Sequence, residues 1–201
     1  MFKNIKIDTI IVGVLLFISI TLVSVNSVSA STLNLGDGTY RFRGFWADFD
    51  DGDQITFIAG YGLNQYSGLG IKLIASPNSK QGIIDFEYQF IPETMQNQQD
   101  EFNYAFKFGG ANATIFEEEI AVKTGFIIEN NFDYYDLYFD TNLYLQGLTM
   151  QIDDLLTNIE LGITRELMPG VNLLFGYKAW LTPSDTEDII HGAKYGVELN
   201  F

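Results

Sequence analysis

The chain has 201 residues, of which 47% are hydrophobic, 15% aromatic and 18% charged, and its 11 basic and 26 acidic residues give a net charge of −15. So negative a chain is not expected to bind nucleic acid, because too few cations are present to neutralise phosphates. It has no cysteine and one histidine, which excludes disulfides, a thiol nucleophile, iron–sulfur clusters and multi-histidine metal sites. We therefore expect no cofactor and no structural metal, and the length suits one domain.

Residues 1–30 have the pattern of a secretory signal peptide. Two lysines give a basic start, residues 10–25 carry no charge, and Val28-Ser29-Ala30 is a small-residue cleavage site. The apolar stretch is short for a membrane-spanning helix, which needs about 20 residues. We predict cleavage after Ala30 and a single β-barrel domain over residues 31–201, and the alternative is an uncleaved N-terminal anchor.

From Thr39 onward, apolar and polar residues alternate, which is the period of a half-buried β-strand. In residues 85–90, for example, three apolar residues alternate with Asp85, Glu87 and Gln89. Ten such segments are predicted. A tilted transmembrane strand needs about nine to eleven residues, and most of the segments have this length. The predicted strands cover residues 39–49, 54–63, 67–75, 82–91, 101–109, 118–129, 134–146, 157–167, 171–182 and 191–201.

Turn residues separate the strands and favour short hairpin connections. Asp51-Gly52, Ser76-Pro77-Asn78 and Met168-Pro169-Gly170 are typical examples. An even number of antiparallel strands can close into a barrel, which removes the two unpaired edges. The predicted fold class is therefore all-β, an antiparallel up-and-down transmembrane barrel of about ten strands, with eight strands as the alternative count.

The polar faces of the strands indicate which side of the barrel faces inward. A soluble barrel packs its apolar face inward, whereas a membrane barrel turns that face to lipid and lines its lumen with polar side chains. The predicted polar face combines glycines with seven basic and six acidic residues, although the whole chain is strongly acidic. Such a balance is expected where charges must pair because water is scarce. The predicted lumen charges are Arg41, Arg43, Lys72, Asp85, Glu87, Lys107, Lys123, Asp136, Asp140, Glu160, Lys178, Lys194 and Glu198.

The C-terminal segment carries a second signal. Lys194, Gly196, Leu199 and the final Phe201 supply a polar residue, a glycine, a hydrophobic residue and a terminal aromatic residue. This pattern resembles the C-terminal β-signal of bacterial outer-membrane barrels, and the chain from Thr39 onward is similar in architecture to small barrels of the OmpA and OmpX type. The resemblance implies embedding in outer-membrane lipid and recognition of the C-terminal strand by the barrel assembly machinery.

The resemblance also implies that both termini lie in the periplasm. Three of the outward connections would then be acidic, and all five would be short. Their carboxylates are expected to bind divalent cations weakly at most, because the spacing of an EF-hand is not met. The outward connections would lie near residues 50–53, 76–81, 110–117, 147–156 and 183–190, and the periplasmic ones near 64–66, 92–100, 130–133 and 168–170.

No catalytic constellation is evident. His191 lies at the start of the last predicted strand and Ser184 and Asp188 lie in the loop before it, but Ala193 occupies the next position on the same strand face. A histidine needs a positioned partner to act as a base. We therefore predict a non-enzymatic barrel with a structural or interaction role and at most a narrow, porin-like pore. The alternatives are an outer-membrane lipid-modifying enzyme and a soluble, exported lipid-binding barrel.

Overall fold

The computed structural model describes residues 37–49, 52–76, 81–98, 103–113, 120–132, 134–146, 155–181 and 190–201. They form ten antiparallel strands, and each strand pairs with its neighbours in sequence until β10 pairs with β1 and closes the barrel. The predicted ten-stranded, up-and-down barrel is confirmed, and the alternative of eight strands is wrong. The strands are β1 (Tyr40–Phe49), β2 (Gln54–Asn64), β3 (Ser67–Ser76), β4 (Gln81–Phe90), β5 (Asn103–Ala113), β6 (Ile120–Asn131), β7 (Asp136–Gln146), β8 (Leu155–Met168), β9 (Val171–Leu181) and β10 (Ile190–Asn200).

The predicted strand ends lie within two residues of the observed ends in nine strands, and β5 is the exception. The prediction ended β5 at Gly109 and placed the following glycine, Gly110, in the connection to the next strand. In the structure both glycines continue the strand, and Gly109 pairs with Glu87 on β4 and with Lys123 on β6. A Cβ atom on Gly109 would clash with the carbonyl oxygen of Phe86, so glycine is needed there for the close approach of β4.

Alternate residues of each strand face opposite sides of the barrel wall, and the outer side is apolar. Phe108 is 58% exposed and Phe86 is 54% exposed, whereas Asp85 on the opposite side is fully buried. Within the described strands, exposed acidic and basic residues occur only near the two ends, at Asp48 on β1 and at Arg165 and Glu166 on β8. An apolar exterior around a polar interior is the arrangement of a membrane barrel, and a soluble barrel with an apolar interior does not fit it.

The two ends of the barrel differ in their connections. We call the end where β1 begins and β10 ends the terminus end, and the opposite end the loop end. The predicted periplasmic connections all lie at the terminus end, and a 3-10 helix that was not predicted, Glu93–Gln98, follows β4 there. Aromatic residues surround this end, with ring centroids 4.9 Å apart for Tyr40 and Tyr61 and 5.0 Å apart for Phe132 and Tyr135. Rings in this position are typical of the interfacial girdle of membrane barrels.

The predicted signal peptide, residues 1–30, lies outside the described residues, so its cleavage stays a prediction. In the part of the chain that the structure describes, no helix has the length and apolarity to span a membrane.

The outward face of β5 provides a test of the orientation of the wall. Phe106 points outward near the middle of the strand and is 39% exposed. Phe106→Arg should lower the free energy of unfolding in lipid by about 2–4 kcal/mol, because a cation at mid-bilayer depth is poorly solvated. The matched control is Asn130→Arg, which faces outward near the terminus end of β6, and its cost should be about 0–1 kcal/mol. Urea titration in lipid vesicles measures the free energy of unfolding of both variants. Equal losses for the two variants would contradict the assigned lipid-facing side.

Candidate functional site: the charged lumen

All thirteen predicted lumen charges are buried, and none is more than 9% exposed. Glu129, which the prediction left out, is also fully buried, so seven basic and seven acidic side chains are enclosed. Glu129 lies six residues after Lys123 on β6 and therefore on the same face. Glu129 is the last residue of the predicted strand, and the alternation within that strand was the signal that could have identified it as inward-facing.

Contacts between non-neighbouring strands show that these side chains meet inside the barrel. Lys72 on β3 donates to Glu160 Oε1 on β8 over 3.1 Å, although four strands lie between β3 and β8 in either direction around the barrel. Lys123 on β6 donates to Asp85 Oδ2 on β4 over 2.7 Å, and the hydroxyl of Tyr144 on β7 donates to the same oxygen over 2.9 Å. Such contacts can form only across the concave side of the sheet.

Glu160 on β8 is the centre of one group of charges, which we call the Glu160 cluster. Its carboxylate accepts hydrogen bonds from Lys72 on β3 and Lys194 on β10, and the ammonium of Lys178 on β9 lies 3.6 Å from Oε1. The three lysines are each at most 3% exposed. Asp140 is the cross-strand neighbour of Glu160 on β7. One carboxylate therefore serves three ammonium groups.

The other charges form smaller groups. Lys123 donates to both Asp85 and Glu87, and Lys107 donates to Asp140. Near the terminus end, Arg43 donates to Glu198. The side-chain amides of Asn172 and Asn200 also donate to Glu198 Oε1, over 2.9 and 3.0 Å. The predicted list of lumen residues did not include these neutral side chains, which complete the charged groups. They could have been identified because they share the inward face of their strands.

Glycines on neighbouring strands make room for the long charged side chains. Lys107 pairs with Gly125, Lys123 with Gly109 and Lys194 with Gly176. A Cβ atom at Gly125 would clash with the carbonyl oxygen of Thr141 on β7. The glycines therefore allow both close strand approach and a lumen filled by lysine side chains.

Apolar side chains close the lumen at the loop end. They project inward from eight strands, beyond the charged groups, and each is at most 6% exposed. We call this group the loop-end layer. It consists of Ala47, Phe49, Ile74, Ile83, Ala111, Ala121, Tyr144, Leu156 and Trp180.

A second apolar group lies toward the terminus end. Ile91, Ala105 and Ile127 pack together there, with Met95 of the 3-10 helix and Tyr104 against them. The hydroxyl of Tyr104 donates to the carbonyl oxygen of Met95 over 2.9 Å and fixes the 3-10 helix below the barrel. The prediction did not include either apolar layer, because apolar residues on the inward face interrupt the alternation from which the lumen was identified.

The structure places His191 on the outer surface at the loop end. Its Nδ1 is hydrogen-bonded to the hydroxyl of Tyr177, and the two ring centroids lie 5.6 Å apart. Ser184 and Asp188, which the sequence analysis considered as catalytic partners of His191, lie outside the described residues. Among the residues that are described, no cluster of three or more His, Asp or Glu side chains has the arrangement of a metal site.

The assembly-signal residues occupy the closing strand. Lys194 points into the lumen, Gly196 faces Phe45 across the β1–β10 seam, and Leu199 faces outward. Phe201 exchanges two backbone hydrogen bonds with Tyr40, over 2.9 and 3.0 Å.

Comparison with known proteins finds similarity in fold and none in sequence family. No protein-family model and no curated protein matches the chain. Similar solved structures include a de novo designed transmembrane β-barrel, with 10% identity, a TM-score of 0.46, and coverage of 84% of this chain and 100% of that one. The N-terminal β-barrel domain of Pseudomonas aeruginosa OprF has 14% identity, a TM-score of 0.41, and coverage of 83% and 99%. The KdgM porin has 8% identity, a TM-score of 0.47, and coverage of 81% and 99%.

The apolar exterior, the closed ladder of ten strands and the buried charges define the class of protein. The chain is a transmembrane β-barrel with the architecture of the small outer-membrane barrels.

The Glu160 cluster generates a stability prediction. Glu160→Gln should lower the free energy of unfolding by about 3–5 kcal/mol, because it leaves buried ammonium groups without their shared carboxylate. Asp140→Asn is the matched control on the neighbouring strand, and it should cost less, about 1–2 kcal/mol, because Lys107 also faces Glu87. Urea unfolding in lipid vesicles provides the measurement, and a larger loss for Asp140→Asn would contradict the central position of Glu160.

Proposed function

We propose that the chain is a small integral outer-membrane barrel with a filled lumen, and that its role in the envelope is structural or interactive rather than transport. One observation supports this proposal above the others: charged side chains join across the lumen between two apolar layers. The Lys72–Glu160 contact crosses the interior, and the loop-end layer lies above it. An ion crossing the barrel would have to separate buried ion pairs and pass apolar side chains.

The number of strands supports the same proposal. Barrels of about eight strands are filled by their own side chains, whereas wide aqueous channels need about sixteen. With ten strands, the lumen holds fourteen buried charged residues and bulky rings such as Tyr144 and Trp180. Any conducting state would be a narrow pore that opens only when these side chains rearrange.

A lipid-modifying enzyme is the second candidate, and it requires a nucleophile beside a base at one rim. The loop-end rim offers the Tyr177–His191 pair on the lipid-facing side. Tyr177 is the described hydrogen-bond partner of His191, and a tyrosine–histidine pair without an acidic orienting group is a weak basis for acyl transfer. We therefore propose a barrel without enzymatic activity.

Conductance tests the filled lumen. Folded protein, identified by its heat-modifiable band on a detergent gel, should give no stable conductance steps in planar bilayers under moderate voltage. The reason is the energy needed to separate buried ion pairs such as Lys123–Asp85. Regular unitary steps from the same folded preparation would contradict the proposal and establish a pore.

We also propose that the chain is exported, cleaved after Ala30 and assembled into the outer membrane through its C-terminal strand. Deletion of Phe201, or Phe201→Ala, should reduce the amount of folded barrel in cells severalfold and change refolding in detergent only modestly. The substitution Phe201→Ala leaves the backbone pairing with Tyr40 available.

The control for this experiment is Phe42→Ala. The rings of Phe42 and Phe201 form one pair, with centroids 6.1 Å apart, so either substitution removes the same ring contact. If the terminal residue acts as an assembly signal, only the Phe201 variants should lose assembly in cells. Equal losses for both rings, in cells and in detergent, would show that Phe201 acts through packing alone.

A further inference from the structure

We propose that the Glu160 cluster is a binding site for a small monovalent inorganic anion of halide size, held by the ammonium of Lys178 with Lys72 and Lys194 beside it. The inference depends on the folded barrel and its buried side chains. It does not depend on whether the lumen conducts ions.

The distribution of charge in the lumen supports an anion at this place. Among the described residues, seven basic and seven acidic side chains balance over the lumen, but they are not evenly spread. Lys123 has two carboxylate partners, whereas Lys72, Lys178 and Lys194 share one. The neighbouring Asp140 already accepts from Lys107. The Glu160 cluster therefore keeps an excess of positive charge in a place where water cannot screen it.

Within the Glu160 cluster, Lys178 is the residue that can bind an anion directly. Its side chain is 1% exposed, and its Nζ has no hydrogen-bond partner among the described residues. The distance of 3.6 Å to Glu160 Oε1 gives an electrostatic contact without a hydrogen bond. An ammonium has three donors, and burying it without an acceptor is unfavourable. An anion beside Nζ would supply the missing acceptor and reduce the excess charge.

The surroundings select the class of anion. The Trp180 ring centroid lies 5.1 Å from Lys178 Nζ, and the centroids of Phe45 and Tyr138 lie 4.6 and 4.8 Å from Lys194 Nζ. Aromatic walls and the loop-end layer leave few groups to replace the hydration of a dianion. A small, singly charged anion loses less hydration on entering, and a single negative charge suits a cluster in which Glu160 already neutralises one ammonium.

The test compares unfolding of the detergent-folded protein in sodium chloride and in sodium gluconate of equal ionic strength, which removes general screening as a cause. Each sample is refolded in its own salt so that the lumen equilibrates. In wild type, the unfolding constant should fall about tenfold for each tenfold rise in chloride above its Kd. Gluconate should give no such dependence, because this organic anion is much larger than a halide ion.

Lys178→Met keeps the length and the aliphatic stem of the side chain and removes the ammonium. This variant should lose the chloride dependence, and without chloride it should be at least as stable as wild type. Arg165→Met, which removes a cation from the exposed outer face, is the control and should keep the dependence. Identical unfolding of wild type in both salts, or a chloride dependence that survives Lys178→Met, would overturn the proposal.

A direct measurement covers the case in which Lys178→Met does not fold. The ³⁵Cl resonance of chloride should be broadened by folded wild-type protein, and bromide should reverse the broadening by competition. Heat-unfolded protein at the same concentration is the reference. Equal line widths for the folded and unfolded samples would overturn the proposal.

Discussion

The pairing of β1 with β10 is the interaction on which the rest of the structure depends. In a lipid environment a strand edge has no water to satisfy its backbone groups, so only a closed sheet can span it. Nine residue pairs, from Arg41–Asn200 to Phe49–Gly192, close the seam. Closure with ten strands then fixes a narrow lumen, and every inward side chain has to fit within it. The charged groups, the glycines and the apolar layers are consequences of that width.

The sequence predicted the wall of the barrel better than its contents. Alternation is a strong signal because a strand with one side in lipid and one in the lumen must keep its period, and a slip of one residue exchanges the faces. The apolar layers were missed for the same reason. Ile127 and Ile74 face inward, and by the rule of alternation an inward position should be polar. Only the closed structure shows that such residues pack against each other rather than against lipid.

The partners of the charges could not be predicted either. Alternation assigns Lys72 and Glu160 to the lumen, but 88 residues separate them in sequence and their strands do not pair. Their contact depends on the strand count and on the stagger of the whole ladder, which local sequence does not specify. The sharing of Glu160 by three lysines, and the surplus charge of Lys178, follow from the same geometry. The balanced composition of the lumen face therefore concealed an uneven arrangement.

Buried ion pairs contribute little net stability on average, because desolvation offsets most of the attraction. In this barrel the ion pairs act mainly on structural specificity, which here means the choice of one strand register over the others. If β8 shifted by one residue, Glu160 would face lipid and Leu161 would enter the lumen beside three lysines. If it shifted by two, Glu160 would leave Lys178, its present cross-strand partner. Apolar contacts on the outer face oppose the shift by one residue, which would turn polar side chains toward lipid, but they tolerate the shift by two, since one hydrophobic residue then replaces another. The charges in the lumen therefore select one register, and the apolar exterior and the closed backbone ladder hold it in the membrane.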